Sequence, residues 1–260
     1  MFGSYFYHER IRKSVAMFGK LFNDIYVIRK NSTGASFSQI KVPLTYAPKQ
    51  KFLERIRENP DLYNDTKVAI KLPRMSFEII TINYDPTRQL PKTNNVNRVG
   101  STNNVRSKIY SGVPYNISFQ LSIYAKNQDD ALQIVEQIIP YFNPQYTLTI
   151  KPLADFPDIK EDVPVTLTGV TFTDDFEGMV EQRRTIIYTL DFDMKITFFG
   201  PINEQGIIRK SIVNFYQIGN GLSDSDVLYE TLTVQPNPLN VGPDSDYGFT
   251  ETWTLSVDSA

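Results

Sequence analysis

NISFQLSIYAKNQDDALQIVEQIIPYFNPQYTLTI, residues 116–150, carries a strand pattern, a helix pattern and a second strand pattern without a gap. Ile117, Phe119, Leu121 and Ile123 alternate with Ser118, Gln120 and Ser122, so a strand here puts its apolar side chains on one face. After Lys126 the period lengthens. Asn127 suits an N-cap, Asp129 and Asp130 fall in the first turn where the helix dipole favours carboxylates, and Ala131, Ile134, Val135, Ile138 and Ile139 recur at three and four. Pro140 cannot continue that helix, Asn143-Pro144 turns the chain, and Tyr146, Leu148 and Ile150 alternate again. A strand, a covering helix and a strand make an α+β unit and carry no catalytic signature.

Toward the N-terminus, Ile11, Val15, Phe18 and Phe22 predict an amphipathic helix over about 8–23, with Arg10, Arg12, Lys13 and Lys20 mostly on its other faces. The short apolar strand 25–28 and a strand through Phe37, Ile40, Val42 and Leu44 flank turn residues 31–34, a hairpin pattern that leaves 25–28 as a candidate association edge. Phe52, Leu53 and Ile56 suggest a helix stopped by Asn59-Pro60. Residues 75–84 form a strong strand pattern, expected to pair with 116–124. Between them, 85–111 has too few apolar groups for a core of its own and reads as a polar hairpin arm or a disordered loop.

Toward the C-terminus, 157–164 reads as a loop, Gly169 interrupts the strand that begins at Val165 and suggests a bulge, and 174–178 turns the chain. Ile186, Tyr188, Leu190, Phe192 and Met194 share one face of the next strand, and 207–216 supplies another apolar segment. A linker with Pro236, Pro238, Gly242 and Pro243 leads to YGFTETWTLSV, 247–257, where Phe249, Glu251, Trp253, Leu255 and Val257 share a face. That strand either closes the sheet edge of its own subunit or adds to a neighbour's sheet. The expected architecture is therefore α+β: a mainly antiparallel sheet flanked by a few helices, with a long polar hairpin arm and an extended C-terminal tail. Residues 1–216 are expected to form a single domain that includes the arm 85–111, and 217–260 an acidic extended segment with a terminal strand.

The 260 residues are 41% hydrophobic and 13% aromatic, enough for a core, and include no cysteine, which excludes disulfides and thiolate chemistry. No run of eighteen apolar residues exists, so no membrane span is expected. Net charge is −2 but unevenly spread. No Asp or Glu falls between Pro86 and Gln128, a stretch that holds Arg88, Lys92, Arg98, Arg106 and Lys108; after Lys210 there is no Lys or Arg, while Asp224, Asp226, Glu230, Asp244, Asp246, Glu251 and Asp258 follow. A basic arm and an acidic tail suit different partners, or one another across copies. The candidate partner-binding residues are Arg88, Lys92, Arg98, Arg106 and Lys108 on the arm and Phe249, Trp253 and Leu255 on the terminal strand.

No catalytic, cofactor or metal site is expected. The only histidine, His8, lies near the terminus, which leaves no Ser-His-Asp device. Asp191 and Asp193 share a strand face, most simply a solvated polar one. Pro157-Asp158 with Asp193-Met194-Lys195 imitates the metal-binding carboxylates and lysine of PD-(D/E)xK nucleases, and this metal-dependent nuclease is the alternative function. Asp244-Ser245-Asp246 lacks the closing glutamate of a calcium loop, because Leu255 stands there. Gly219-Asn220-Gly221 lacks a dinucleotide fingerprint's third glycine. The arm interleaves its cations with Asn, Val, Thr and Ser rather than aromatics, which favours protein over nucleic acid as its partner.

Five segments taken in order resemble a known family: MFGSYFYHERIRKSVAMFGKLF at the start, KVPLTYAPKQKF at 41–52, LPRMSFEI at 72–79, LSIYAKNQDDALQIVEQIIPYFNP at 121–144 and RRTIIYTLDFDM at 183–194. They are similar to the tail sheath stabiliser and completion protein of T4-like contractile-tailed phages. The resemblance covers roughly 1–216; the arm and the residues after 217 match loosely. It implies a structural virion protein, a tail terminator forming a hexameric ring at the head-proximal end of the tail and assembled in the host cytoplasm. The partners it implies are the tail sheath protein, the tail-tube terminator protein and a head-neck protein, with no cofactor.

Overall fold

A computed structural model of the chain describes residues 5–30, 36–58, 72–176, 184–217, 227–242 and 244–255. In chain order its elements are α1 (Arg10–Leu21), β1 (Tyr26–Lys30), β2 (Ser36–Lys41), β3 (Leu44–Tyr46), α2 (Lys49–Glu58), β4 (Arg74–Tyr84), β5 (Asn95–Val99), β6 (Val105–Tyr110), β7 (Val113–Ala125), α3 (Gln128–Ile138), β8 (Gln145–Ile150), β9 (Glu161–Phe176), β10 (Arg184–Phe198), β11 (Asn203–Gly206), β12 (Ser211–Gln217), β13 (Val227–Asn237) and β14 (Gly248–Leu255). The protein is α+β and mostly sheet. It divides into two compact units, one of 7–89 and 112–198, the other of the first residues with 90–111 and 199–260.

The first unit is built on a six-stranded sheet in the order β3-β4-β7-β10-β9-β8, antiparallel throughout except for the parallel pair β3 and β4. β7 is central because its alternation is the cleanest: Ile117, Phe119, Leu121 and Ile123 are all buried. Opposite them stand Ile82, Ile79, Phe77 and Met75 on β4 and Met194, Phe192, Leu190 and Tyr188 on β10. These cross-strand rows, apart from the exposed Ile82, and the buried face of α3, Ile134, Val135 and Ile138, form one core. The expected bulge is present: Asp191 opposes Gly169 and Phe192 opposes Leu167, leaving Thr168 as the extra residue. The loop expected over 157–164 is shorter, because β9 already begins at Glu161.

α1 lies on this core through Phe18, which stacks on Phe119 with ring centroids 4.4 Å apart and meets Phe22, Phe77 and Phe192. Its approach is close. A Cβ on Gly19 would stand 3.1 Å from the ring of Phe77, so glycine lets the helix settle there. The expected face of α1 holds at Phe18, at Phe22 just past its end and at half-buried Val15, but Arg10 and Ser14 are buried as well and Ile11 is exposed. Arg10, expected on another face, is buried instead. Its guanidinium is buried, donating to Glu161 and to the carbonyl of Thr197 at 3.0 Å.

The outer edge of β1 is not open for association. Gln133 and Gln137 of α3 reach across to it: the Ile28 N–H donates to Gln133 Oε1 at 3.0 Å, and Gln137 Nε2 donates to the Tyr26 carbonyl at 2.8 Å. Side-chain amides thus stand in for the strand this edge lacks. The expected turn at 31–34 and helix stop at 59–60 lie outside the described residues.

The second unit holds two three-stranded antiparallel sheets, β11-β6-β5 and β12-β13-β14. The polar arm is ordered as the β5–β6 hairpin, and the terminal strand pairs with β13 of its own chain, from Glu230 opposite Leu255 to Asn237 opposite Gly248. The second sheet draws on both sides of residue 216, since β12 pairs with β13.

Candidate functional site

The arm residues do not act as one surface. Arg88 belongs to the first unit, in a short turn of helix at Pro86–Arg88 where Asp85 is the N-cap. Its Nε donates to Asp85 Oδ2 at 2.8 Å, and Nη2 donates to the Tyr115 carbonyl at 3.0 Å and to Asn116 Oδ1 at 2.8 Å. The Thr87 N–H and hydroxyl also donate to Asp85 Oδ1. The Arg88 guanidinium first, and then the Thr87 donors, hold the Asp85 carboxyl far below its ordinary pKa of 3.8. The sequence window that showed no carboxylate began one residue after this partner.

A folded-state pKa below the unfolded one adds stability above the unfolded value and loses it as pH falls through the acid range. Asp85→Asn is therefore expected to unfold at lower denaturant than the parent by a constant margin from neutral pH down to about pH 5. The margin should shrink below the ordinary carboxylate value of 3.8. Urea titrations of both proteins across that range check it; a margin that grows toward acid pH would refute the assignment.

In the second unit, Arg106 Nη2 is paired with Asp244 of the same chain, and Lys108 lies over the ring of Tyr110, 4.7 Å from its centroid. Lys92 and Arg98 are exposed on the hairpin. The tip of the arm is tied to the linker before β14: Asn103 Nδ2 donates to the Asn240 carbonyl at 3.4 Å, and Arg209 donates to Asn104 Oδ1 and to the Val241 carbonyl. Ser101 and Ser107 donate to Glu204 of β11 at 3.3 and 3.2 Å. Arg209, Glu204 and the Asn103–Asn240 contact escaped the sequence reading, which saw the opposite charges of arm and tail but not that one chain brings them together. The pairing of Arg106 with Asp244 is the part that those charges foreshadowed.

Phe249, Trp253 and Leu255 lie on one face of β14 and are 67%, 53% and 63% exposed. Cross-strand register places Trp253 beside Leu232 and Val213, and Leu255 beside Glu230 and Phe215. Phe215 and Trp253 stack with centroids 6.5 Å apart. Among the described residues the result is an exposed apolar sheet face interrupted by Ser211, Glu230 and Glu251, the kind of surface that soluble chains keep for partners.

The nuclease residues do not converge on a metal cradle. Asp193 Oδ1 accepts from the Ser118 hydroxyl at 2.7 Å and Asp191 Oδ1 from Gln120 Nε2 at 2.9 Å, while Asp158 is exposed in the turn before β9 and Lys195 points to solvent. Among the described residues no group of three or more His, Cys, Asp or Glu side chains is placed to hold a metal ion. His8 is half-buried near Glu9, Lys13 and the loop 152–155. No helix among the described residues is long and apolar enough to cross a membrane.

The T4-like virus Myoviridae tail sheath stabiliser family matches residues 5–258, nearly the whole chain. The chain belongs to that family. It is similar along 99% of its length to the tail completion protein gp15 of Enterobacteria phage T4, with 28% identity over 265 residues and 96% of that relative covered. This tail sheath stabiliser is thus a structural protein of the bacteriophage tail. The match runs through the arm and the terminal strand, where the sequence resemblance was loose.

Proposed function

We propose that this tail sheath stabiliser forms a six-fold ring that caps the head-proximal end of a contractile tail. In that place it locks the last ring of the sheath protein and the tail-tube terminator protein, and it offers a surface to a head-neck protein of the filled capsid. The observation that carries the reading is the family match over residues 5–258. The geometry supports it in kind, since the chain keeps an apolar sheet face and charged strands of opposite sign on its surface. In this reading residues 1–216 supply the terminator domain, and β14, held in its own chain by β13, offers its exposed face and outer edge to neighbours. Lys92, Arg98 and Lys108, with Phe249, Trp253 and Leu255, meet partners; Arg88 and Arg106 brace the surfaces from within.

Tails assembled without this protein, then supplied with it and viewed by electron microscopy, are expected to gain six-fold density at one end and to keep their sheaths extended. An exposed ion pair is worth at most about 1 kcal/mol, so three reversals are needed to make an effect visible. The triple variant Lys92→Glu, Arg98→Glu, Lys108→Glu should melt like the parent yet bind tails roughly tenfold to a hundredfold more weakly, with the deficit larger at low salt. Unchanged tail completion by that variant, or capped tails without six-fold density, refutes these assignments.

A further inference from the structure

Several sheet edges among the described residues are short, irregular or covered. β3 has three residues, β11 has four, the outer edge of β1 is capped by Gln133 and Gln137, and β12 pairs across an irregular register at Phe215 and Tyr216. β14 shows none of these protections. It is eight residues long, pairs with β13 without a register shift, contains no proline, lysine or arginine, and is exposed at every residue. Among the described residues no strand pairs with its second side, where backbone donors and acceptors stand beside β-branched and aromatic side chains, which makes it a template for a further strand.

Charge selects the strand. No Lys or Arg follows Lys210, and Asp246 and Glu251 lie on or just before β14, with Asp244 already paired to Arg106, so an acidic segment is repelled and a cationic one attracted. One other edge in the second unit fits. β5 is the outer strand of β11-β6-β5, its residues 95–98 are exposed, and it stands in the stretch without Asp or Glu, with Lys92 three residues ahead of it and Arg98 within it. Within one chain β5 and β14 belong to separate sheets. We infer that β14 of one copy takes β5 of a second copy as its next strand, joining two three-stranded sheets across the boundary between subunits. Backbone hydrogen bonds supply the affinity, and Arg98 and Lys92 facing Glu251 and the acidic linker supply the orientation. The contact is heterologous: each copy offers β14 to one neighbour and β5 to the other, which is the kind of contact that closes into a ring. It rests on the ring reading proposed above.

The chain has no cysteine, so engineered thiols report this contact cleanly. Val96→Cys and Thr252→Cys, both at exposed positions, are prepared as separate full-length proteins, mixed, bound to terminator-deficient tails and treated with a short bis-maleimide. The mixture is expected to give a crosslinked dimer at least tenfold above either protein alone, and the double variant a ladder that ends at the ring. Asn97→Cys with Thr250→Cys samples a shifted register. Thr147→Cys on β8 with Thr252→Cys measures chance collisions and should stay at background. If the variants complete tails but neither β5–β14 pair rises above the β8 control, the inference is overturned while the terminator reading stands. If the unaltered protein does not bind tails at all, the terminator reading fails and the inference falls with it.

Discussion

Phe18→Ala is expected to destabilise the protein by about 3–5 kcal/mol, the range for removing a large aromatic from a rigid core. Phe18 is fully buried, and its ring touches one aromatic from each of the three central strands: Phe77 of β4, Phe119 of β7 and Phe192 of β10. The cavity left by alanine would be hard to fill, since Phe192 is itself held by Phe22 and Phe142, and Phe77 by Tyr46 and Phe119. Against a typical total of 5–15 kcal/mol, such a loss is a large share of the stability. It should appear as a fall in melting temperature of roughly 6–20 °C for a chain of this size. Phe18→Leu, which refills most of the volume, should lose less than half as much. Equilibrium denaturation of the three proteins tests this. A loss below about 1 kcal/mol for alanine would mean that α1 does not depend on the sheet for its position.

The sheet was legible wherever one face is apolar and the other polar. β7, α3 and β8 follow directly from residues 116–150, and the pairing of β4 with β7 and the bulge at Gly169 follow from strand pattern and one interruption. What pattern reading lacks is the partner across the sequence. Arg10 looked like a solvated cation because nothing within a helical turn announces that Glu161, 151 positions on, will meet it inside the protein. Arg10 takes the buried place at the start of α1, and Ile11 beside it faces water while Val15, Phe18 and Phe22 keep the expected face. Gln133 and Gln137 were legible as the polar face of α3, but not as caps on β1, because side-chain-to-backbone bonds across more than 100 residues leave no local period.

The assembly surface was half legible for the same reason. Charge asymmetry marked the arm and the tail, and alternation marked Phe249, Trp253 and Leu255 as one face. Arg88 was grouped with the arm on charge alone, whereas its geometry belongs to Asp85 and to the start of β7. The terminal strand left two partners open, its own sheet or a neighbour's. Register shows β13 on one side of it, and the open question moves to its other side.

The buried Arg10–Glu161 pair should be the most sensitive electrostatic point in the first unit. The two side chains are only 3% and 13% exposed, so both charges have left most of their water, and Arg10 sits at the start of a helix, where the dipole disfavours a cation. Glu161 and the Thr197 carbonyl are what hold it there. Arg10→Ala removes the attraction but leaves Glu161 desolvated and a strand carbonyl without its donor, and is expected to cost about 3–5 kcal/mol. Glu161→Gln should cost less, because a neutral amide can still accept from the guanidinium, though the cation then lacks its counter-charge. The double variant Arg10→Met, Glu161→Leu removes both charges and refills the volume, and should recover most of the loss, ending within about 1–2 kcal/mol of the parent. Chemical denaturation of the four proteins gives the coupling directly. If the apolar pair is as damaging as Arg10→Ala, the contribution of Arg10 is its shape and its bond to Thr197, and the ion pair is incidental to the docking of α1. If it recovers, the uncompensated charge is what the fold cannot tolerate, and the pair serves to fix which way the helix faces.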